Sequence, residues 1–190
     1  MTKQMELLAQ GAAKLSVDLN QRQLDQFQTY YRELVDWNQR MNLTAITQYE
    51  EVQVKHFLDS LTLCLSVDVT RISGSRVIDV GAGAGLPGVP LKIAFPDIKL
   101  TLADSVGKKT RFLQHLMETL ELTGVTIHTG RAEELARHSE LRAGFDLALA
   151  RGVARLPALL EYTLPFCKIG GKVAAWKHRS IEQEMADAEA

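Results

Sequence analysis

Apolar residues in the first third of the chain recur at helical spacing. The pattern predicts helices over Met5–Leu15, Gln21–Met41 and Tyr49–Ser66, the second carrying Leu24, Phe27, Tyr31 and Leu34 along one stripe. After the break at Ser73-Gly74-Ser75 the period changes. Short apolar runs predict strands at 77–81, 99–103, 125–129, 145–150 and 171–176, alternating with helical patterns at 87–95, 107–122 and 153–167. Such alternation builds βαβ units of a parallel sheet. The expected fold class is therefore α/β and Rossmann-like, with a core over residues 71–190 and a helical extension over residues 1–70 packed on it. Gly124 is expected to close the helix before the third strand. Gly170-Gly171 is expected to end the helix before the fifth, as a left-handed cap.

With 190 residues and 46% apolar content the chain can bury one sizeable core and has no room for a second catalytic domain. No apolar run is long enough to span a bilayer, and the start, MTKQMELLAQGAAKL, is amphipathic without a secretory cleavage signature, so a cytoplasmic protein is expected. Cys64 and Cys167 lie in apolar helical surroundings without metal-ligand spacing and read as buried small hydrophobes. No metal site is expected.

The chemistry concentrates between Val77 and Pro90, in VIDVGAGAGLPGVP. An apolar run ending in close-spaced glycines and followed by a helix is a strand, tight turn and helix, where bare backbone can approach a nucleotide. Gly83, Gly85 and Gly88 alone satisfy the dinucleotide pattern. Asp79 argues against that register, because its carboxylate would repel a pyrophosphate on the following helix. S-adenosylmethionine carries an ammonium and a sulfonium and no phosphate, so the same carboxylate favours it. Asp79, Gly81, Gly83 and Gly85 are accordingly candidate donor contacts. Asp79 bonded to loop amides is the competing reading, and the two are compatible. Asp104, at the carboxyl end of the second strand, is placed to accept both ribose hydroxyls, as acids also do in nicotinamide proteins; a helix N-cap is its plain alternative. Ala132 and Glu133, after the third strand, are placed to meet an adenine, or else simply begin a short helix.

The net charge of −1 hides a basic rim. Between Ala150 and Ser180, Arg151, Arg155, Lys168, Lys172, Lys177 and Arg179 face Glu161 alone, and Lys108, Lys109 and Arg111 form a second cluster. Both follow strand ends on the side where a ligand would sit, and such a rim would hold RNA phosphates, although solvated lysines on ordinary helices also produce runs of this kind. After the fourth strand stands Ala150-Arg151-Gly152-Val153-Ala154-Arg155, with no Cys for covalent attack on a pyrimidine and no Asn-Pro-Pro-aromatic sequence for an exocyclic amine. A target needing neither nucleophile nor base is an atom with a free lone pair. Guanine N7 is one, and positioning alone would then supply catalysis.

These residues resemble a known family. GAGAGLPGVPL with the upstream Asp79, LADSVGKKTRFL, GRAEEL, ARGVARL and AAWK, preceded by MNLTAI and HFLDSL, are similar to the ribosomal RNA small subunit methyltransferase G family, also called glucose-inhibited division protein B, over residues 20 to 180 or so. The resemblance implies a class I methyltransferase that uses S-adenosylmethionine to methylate N7 of one guanine in 16S RNA, on the small ribosomal subunit or an assembly intermediate. Carried onto this chain, the donor contacts fall on Gly81, Leu86, Ala132, Glu133 and Arg151, with Asp104 at the ribose. Arg151 would orient RNA or the donor's carboxylate. Asn42, Lys108, Lys109, Arg155, Lys177 and His178 are the candidate RNA contacts. Thr44, His56, Asp59 and Ser60 match family motifs without an assigned role; His56, a lone histidine beside Phe57 in an amphipathic helix, would either line the RNA cleft or serve as a hydrogen-bonded structural group.

Family members continue after the fifth strand with a helix, two strands and a basic tail, whereas this chain stops at Ala190. If nothing follows, Val173 to Trp176 are expected to lie exposed on an open edge, with reduced stability, some self-association and weakened RNA binding. The protein is otherwise expected to be a monomer. A nicotinamide-dependent Rossmann oxidoreductase, or a module that binds donor or RNA without chemistry, are the competing functions.

Overall fold

The computed structural model describes residues 5–68, 72–177 and 181–189. Its framework is a parallel sheet of β1 (Arg76–Val80), β2 (Lys99–Asp104), β3 (Val125–Thr129), β4 (Phe145–Arg151) and β5 (Cys167–Trp176), in the order β3-β2-β1-β4-β5. The chain leaves β3 for the far side of β1, so the strand order reverses between β1 and β4. Ligands bind beyond the carboxyl ends of strands at such a point.

Helices α1 (Glu6–Lys14), α2 (Gln21–Asn38) and α3 (residues 49–65) precede the sheet, and α4 (Gly88–Ala94) and α5 (Gly107–Thr119) follow β1 and β2. The short α6 (Ala132–Leu135), then α7 (Leu156–Thr163) and α8 (Glu182–Glu189), complete the described helices. Alternation along β1 sorts the two layers. Val77 joins a large core with Leu100, Leu102, Leu147 and Leu149 of the neighbouring strands and Phe27, Tyr30, Phe57 and Phe112 of the helices, whereas Ile78 and Val80 pack with Ala148, Phe145 and Phe166 on the other face. The N-terminal helices thus share a core with one face of the sheet.

Local chemistry accounts for several boundaries. Asn20 and Gln23 form a reciprocal capping box at the start of α2, and the Gln23 amide also donates to Ile93 and Ala94 carbonyls at the end of α4. The buried stripe of α2 is Gln23, Phe27, Tyr30 and Leu34, so Tyr30 faces the core while Leu24 and Tyr31 are half-buried. The expected helix over Tyr49–Ser66 is composite: an α-turn (Tyr49–Val52), a π-turn (Gln53–Leu58), a second α-turn (Asp59–Leu61) and a 3₁₀ turn (Thr62–Leu65).

Both expected glycine caps are displaced. Glu121 takes the left-handed cap of α5 (φ 53°), with Leu122 N–H returning to Met117 O, a Schellman arrangement that leaves Gly124 to the loop beyond. Gly170 (φ 80°) and Gly171 lie inside β5, where the register against β4 shifts, because the preceding helix already ends at Thr163 and its 3₁₀ extension at Phe166. Cys64 and Cys167 are half-buried at the margins of the two cores rather than inside them.

Val173, Ala174, Ala175 and Trp176 are half-buried, not exposed. Ala174 and Trp176 pack against the larger core, Val173 against the smaller, and Trp176 Nε1–H donates to Asp59 O at 2.9 Å. The outer backbone of β5 has no paired strand among the described residues.

Candidate active site

The loop after β1 turns through left-handed glycines, Gly81 (φ 73°), Gly83 (φ 56°) and Gly85 (φ 90°), which a side chain would strain. It is held from three directions. Gly81 and Ala82 N–H donate to Ala103 O at 2.8 and 3.0 Å, Gly83 N–H donates to Asp104 Oδ2 at 2.9 Å, and the Tyr30 hydroxyl donates to Ala84 O at 2.6 Å. Tyr30 is fully buried, which drives its phenol well above its ordinary pKa and keeps the proton it donates. A Cβ on Gly85 would lie 2.8 Å from that hydroxyl, so the N-terminal extension shapes the loop by contact. Tyr30 stands outside the apolar stripe marked in the sequence, which runs through its neighbour Tyr31.

The carboxylate of Asp104 bridges two loops, its Oδ1 accepting from Val106 N–H at 2.8 Å while Oδ2 takes Gly83. Asp104, Gly81, Ala132 and Glu133 line one cavity of about 150 Å3 with Ser105, Gly130, Val153 and Tyr162. Four of the expected donor contacts therefore meet. Ala132 opens α6, so its N–H has no intrahelical partner. Val153 was not foreseen; its Cγ2 sits 2.7 Å from where a Gly81 Cβ would be and closes that end of the cavity. Tyr162 was not foreseen either, and its apolar helix offered nothing to single it out. A wider cavity, about 680 Å3, opens at the amino end of the sheet, where Lys168 and Asp146 neutralise each other.

Other expected contacts lie elsewhere. Asp79 projects to the α4 side of the sheet and is fully buried beneath the loop, Oδ2 accepting Gly88 N–H at 2.8 Å and Oδ1 without a partner among the described residues. Burial pushes its pKa up to about 7; the Gly88 bond and the charge of Arg151 act downward, the charge of Asp104 upward. Asp79 does not line the cavity and instead acts as an anchor, tying the start of α4 to β1. Gly83, Gly85 and the buried Leu86 shape the loop without lining the cavity.

Arg151 ends β4 on the face of Leu147 and Leu149, and so meets α3. Its side chain is 10% exposed; Nη2 donates to Lys55 O at 2.6 Å, stands 3.4 Å from His56 Nδ1 and pairs with Asp59 Oδ2 at 3.2 Å, while Nη1 is buried without a partner among the described residues. His56 is buried, its Nε2 2.7 Å from Thr44 Oγ1. Asn42 is exposed in the loop before α3. On the rim, Lys108 is exposed and Lys109 half-buried in the first turn of α5, neither in an ion pair among the described residues. Arg155 and Lys177 are not free cations: Arg155 pairs with Asp187 and Lys177 with Glu184, both of α8, at 2.6 Å. The acidic composition of α8 neutralises this part of the expected basic rim. His178 lies outside the described residues.

The reversed strand order, the glycine turn and an acid at the end of β2 are those of a class I S-adenosylmethionine-dependent methyltransferase fold. The solved precorrin-6y C5,15-methyltransferase from Geobacter metallireducens GS-15 shares it, with a TM-score of 0.53, 15% identity and coverage of 78% of this chain and 71% of that one. A family model described as rRNA small subunit methyltransferase G matches residues 23–190. The protein of that name from Caldanaerobacter subterraneus subsp. tengcongensis is 49% identical over 181 residues, 95% of this chain and 75% of its own. The one from Halalkalibacterium halodurans is 50% identical over 171 residues, 90% and 71%. The chain belongs to the ribosomal RNA small subunit methyltransferase G family.

Proposed function

We propose that this protein transfers the methyl group of S-adenosylmethionine to N7 of one guanine in 16S ribosomal RNA. The observation that carries the reading is the meeting of Gly81, Asp104, Ala132 and Glu133 around one cavity beyond the carboxyl ends of the strands, in a chain of this family. The lining fits an adenosine: bare backbone at Gly81, acceptor lone pairs left on Asp104 after its two amide bonds, and the Ala132 N–H, which has no intrahelical partner, beside the Glu133 carboxylate. Asp104 would hold the ribose hydroxyls, and Ala132 and Glu133 the adenine.

Bound there, S-adenosylmethionine supplies a methyl already activated on a sulfonium. Guanine N7 has a lone pair and no proton at neutral pH, so the protein need only align the two. The stretch immediately after β4, Gly152 to Arg155, contains no nucleophile or base. A guanidinium on N7 would block attack, so Arg151 would act on O6, a phosphate or the donor's carboxylate. Lys108 and Lys109 offer phosphate contacts as they stand, whereas Arg155 and Lys177 would first leave Asp187 and Glu184. Residues 1–70 act as an extension of the 71–190 core.

Among the described residues no helix is long and apolar enough to cross a membrane. We place the protein in the cytoplasm, as a monomer acting on the small subunit or its assembly intermediate. The test is methyl transfer from labelled S-adenosylmethionine to small subunits lacking the modification. Label recovered in 7-methylguanosine supports the reading. Label in another nucleoside, or none while donor binding persists, refutes it.

A further inference from the structure

From the geometry around Arg151 we infer that Asp59 and the Lys55 carbonyl of the N-terminal extension are positioning groups for the reaction, holding the Arg151 guanidinium in place. The inference rests on the reading above that Arg151 meets an oxygen of the donor or of the RNA. Three groups of one helix gather on a single nitrogen, Nη2: Lys55 O at 2.6 Å, Asp59 Oδ2 at 3.2 Å and His56 Nδ1 at 3.4 Å. The other, Nη1, is buried with no partner among the described residues, although an unmet buried donor is destabilising and such groups are normally satisfied. The arrangement secures one end of the fork and leaves a donor for a ligand oxygen.

The irregular turn in α3 makes this possible. In an α-helix the Asp59 N–H would return to Lys55 O. Here it goes to Val54 O, the wider ring characteristic of a π-turn, and to His56 O, so the Lys55 carbonyl, which also lies 3.1 Å from His56 Nδ1, is open to the guanidinium. Asp59 itself is held from the sheet, its carbonyl accepting from Trp176 Nε1 at 2.9 Å, and its carboxylate remains 37% exposed beside an arginine that is nine-tenths buried. A regular helix through 53–58 would pull the carbonyl back into its own ladder.

The competing account is that the contact merely pins the extension to β4. A double-mutant cycle separates the two. Donor affinity by calorimetry, the single-turnover rate on small subunits lacking the modification, and the melting temperature are measured for wild type, Asp59→Ala, Arg151→Ala and the double variant. Positioning predicts that Asp59→Ala lowers the parameter Arg151→Ala lowers, by tenfold or more, and that the double variant loses no more than Arg151→Ala alone. A loss in affinity identifies the donor's carboxylate as the partner of Nη1; a loss in rate at saturating donor identifies an RNA oxygen. If Asp59→Ala does not fold, Asp59→Asn, which keeps an acceptor but not the charge, takes its place in the cycle. An equal loss from the Asp59 change in both backgrounds, or a lowered melting temperature with affinity and rate unchanged, overturns the inference while leaving the role of Arg151 intact. An Arg151→Ala variant with wild-type affinity and rate overturns both.

Discussion

Asp79→Asn tests the electrostatics beneath the glycine loop. The carboxyl is fully buried with one oxygen unpaired among the described residues, and burial raises its pKa from 3.8 to about 7. Between those values the folded protein holds a proton that the unfolded chain releases, so this group lowers stability as pH rises through the window. Each pK unit is worth about 1.4 kcal/mol. From pH 5 to pH 8 the span holds about two units' worth, so Asp79 should remove about 2 to 3 kcal/mol of unfolding free energy. Asparagine keeps an acceptor for Gly88 N–H and cannot ionise. It leaves an amide N–H unmet, at a cost of about 1–3 kcal/mol, but that cost does not vary with pH. Urea unfolding of both proteins at pH 5, 6, 7 and 8 isolates the effect as the difference between two slopes. The wild type should lose stability relative to the variant across the series. A constant difference, or one growing in the opposite sense, would mean that Asp79 is ionised throughout and the burial argument is wrong.

Gly85→Ala combines a left-handed backbone with a Cβ 2.8 Å from both the Tyr30 hydroxyl and Val89 Cγ2, so it should destabilise by about 2 kcal/mol or more in thermal melts and weaken the donor site with it. Asp104→Ala releases the Gly83 and Val106 amides and removes the proposed ribose acceptor; calorimetry should show donor affinity at least about tenfold weaker, corresponding to one charged hydrogen bond. Lys108→Ala with Lys109→Ala should reduce the slope of log affinity against log salt for RNA by about one to two, with donor affinity unchanged. An unaltered slope would place the RNA elsewhere.

Much of the site was legible because it depends on backbone and on strand ends. Closely spaced glycines after an apolar run announce a turn that side chains cannot make, and the carboxyl end of each strand marks where Asp104, Ala132 and Glu133 must emerge. Those three, with Gly81, do meet. Charge was less informative. Asp79 has the right chemistry for a cationic donor, but alternation along β1 puts it on the same face as Val77, under α4 and away from the cavity. Arg155 and Lys177 read as free cations because the acids that pair with them come from α8, and a charge count along the chain does not see across space.

The sequence by itself determined the alternation of strands and helices, the glycine turn, the acid after β2 and, through its motifs, the family. Those features repeat at short range, where period and residue type govern conformation. Only the tertiary structure decided that Tyr30 of the extension braces the glycine loop, that Val153 closes over Gly81 and that Asp59 and the Lys55 carbonyl grip Arg151. Each of these contacts joins residues more than 50 positions apart, and each turns on which side of a strand or helix a single side chain takes.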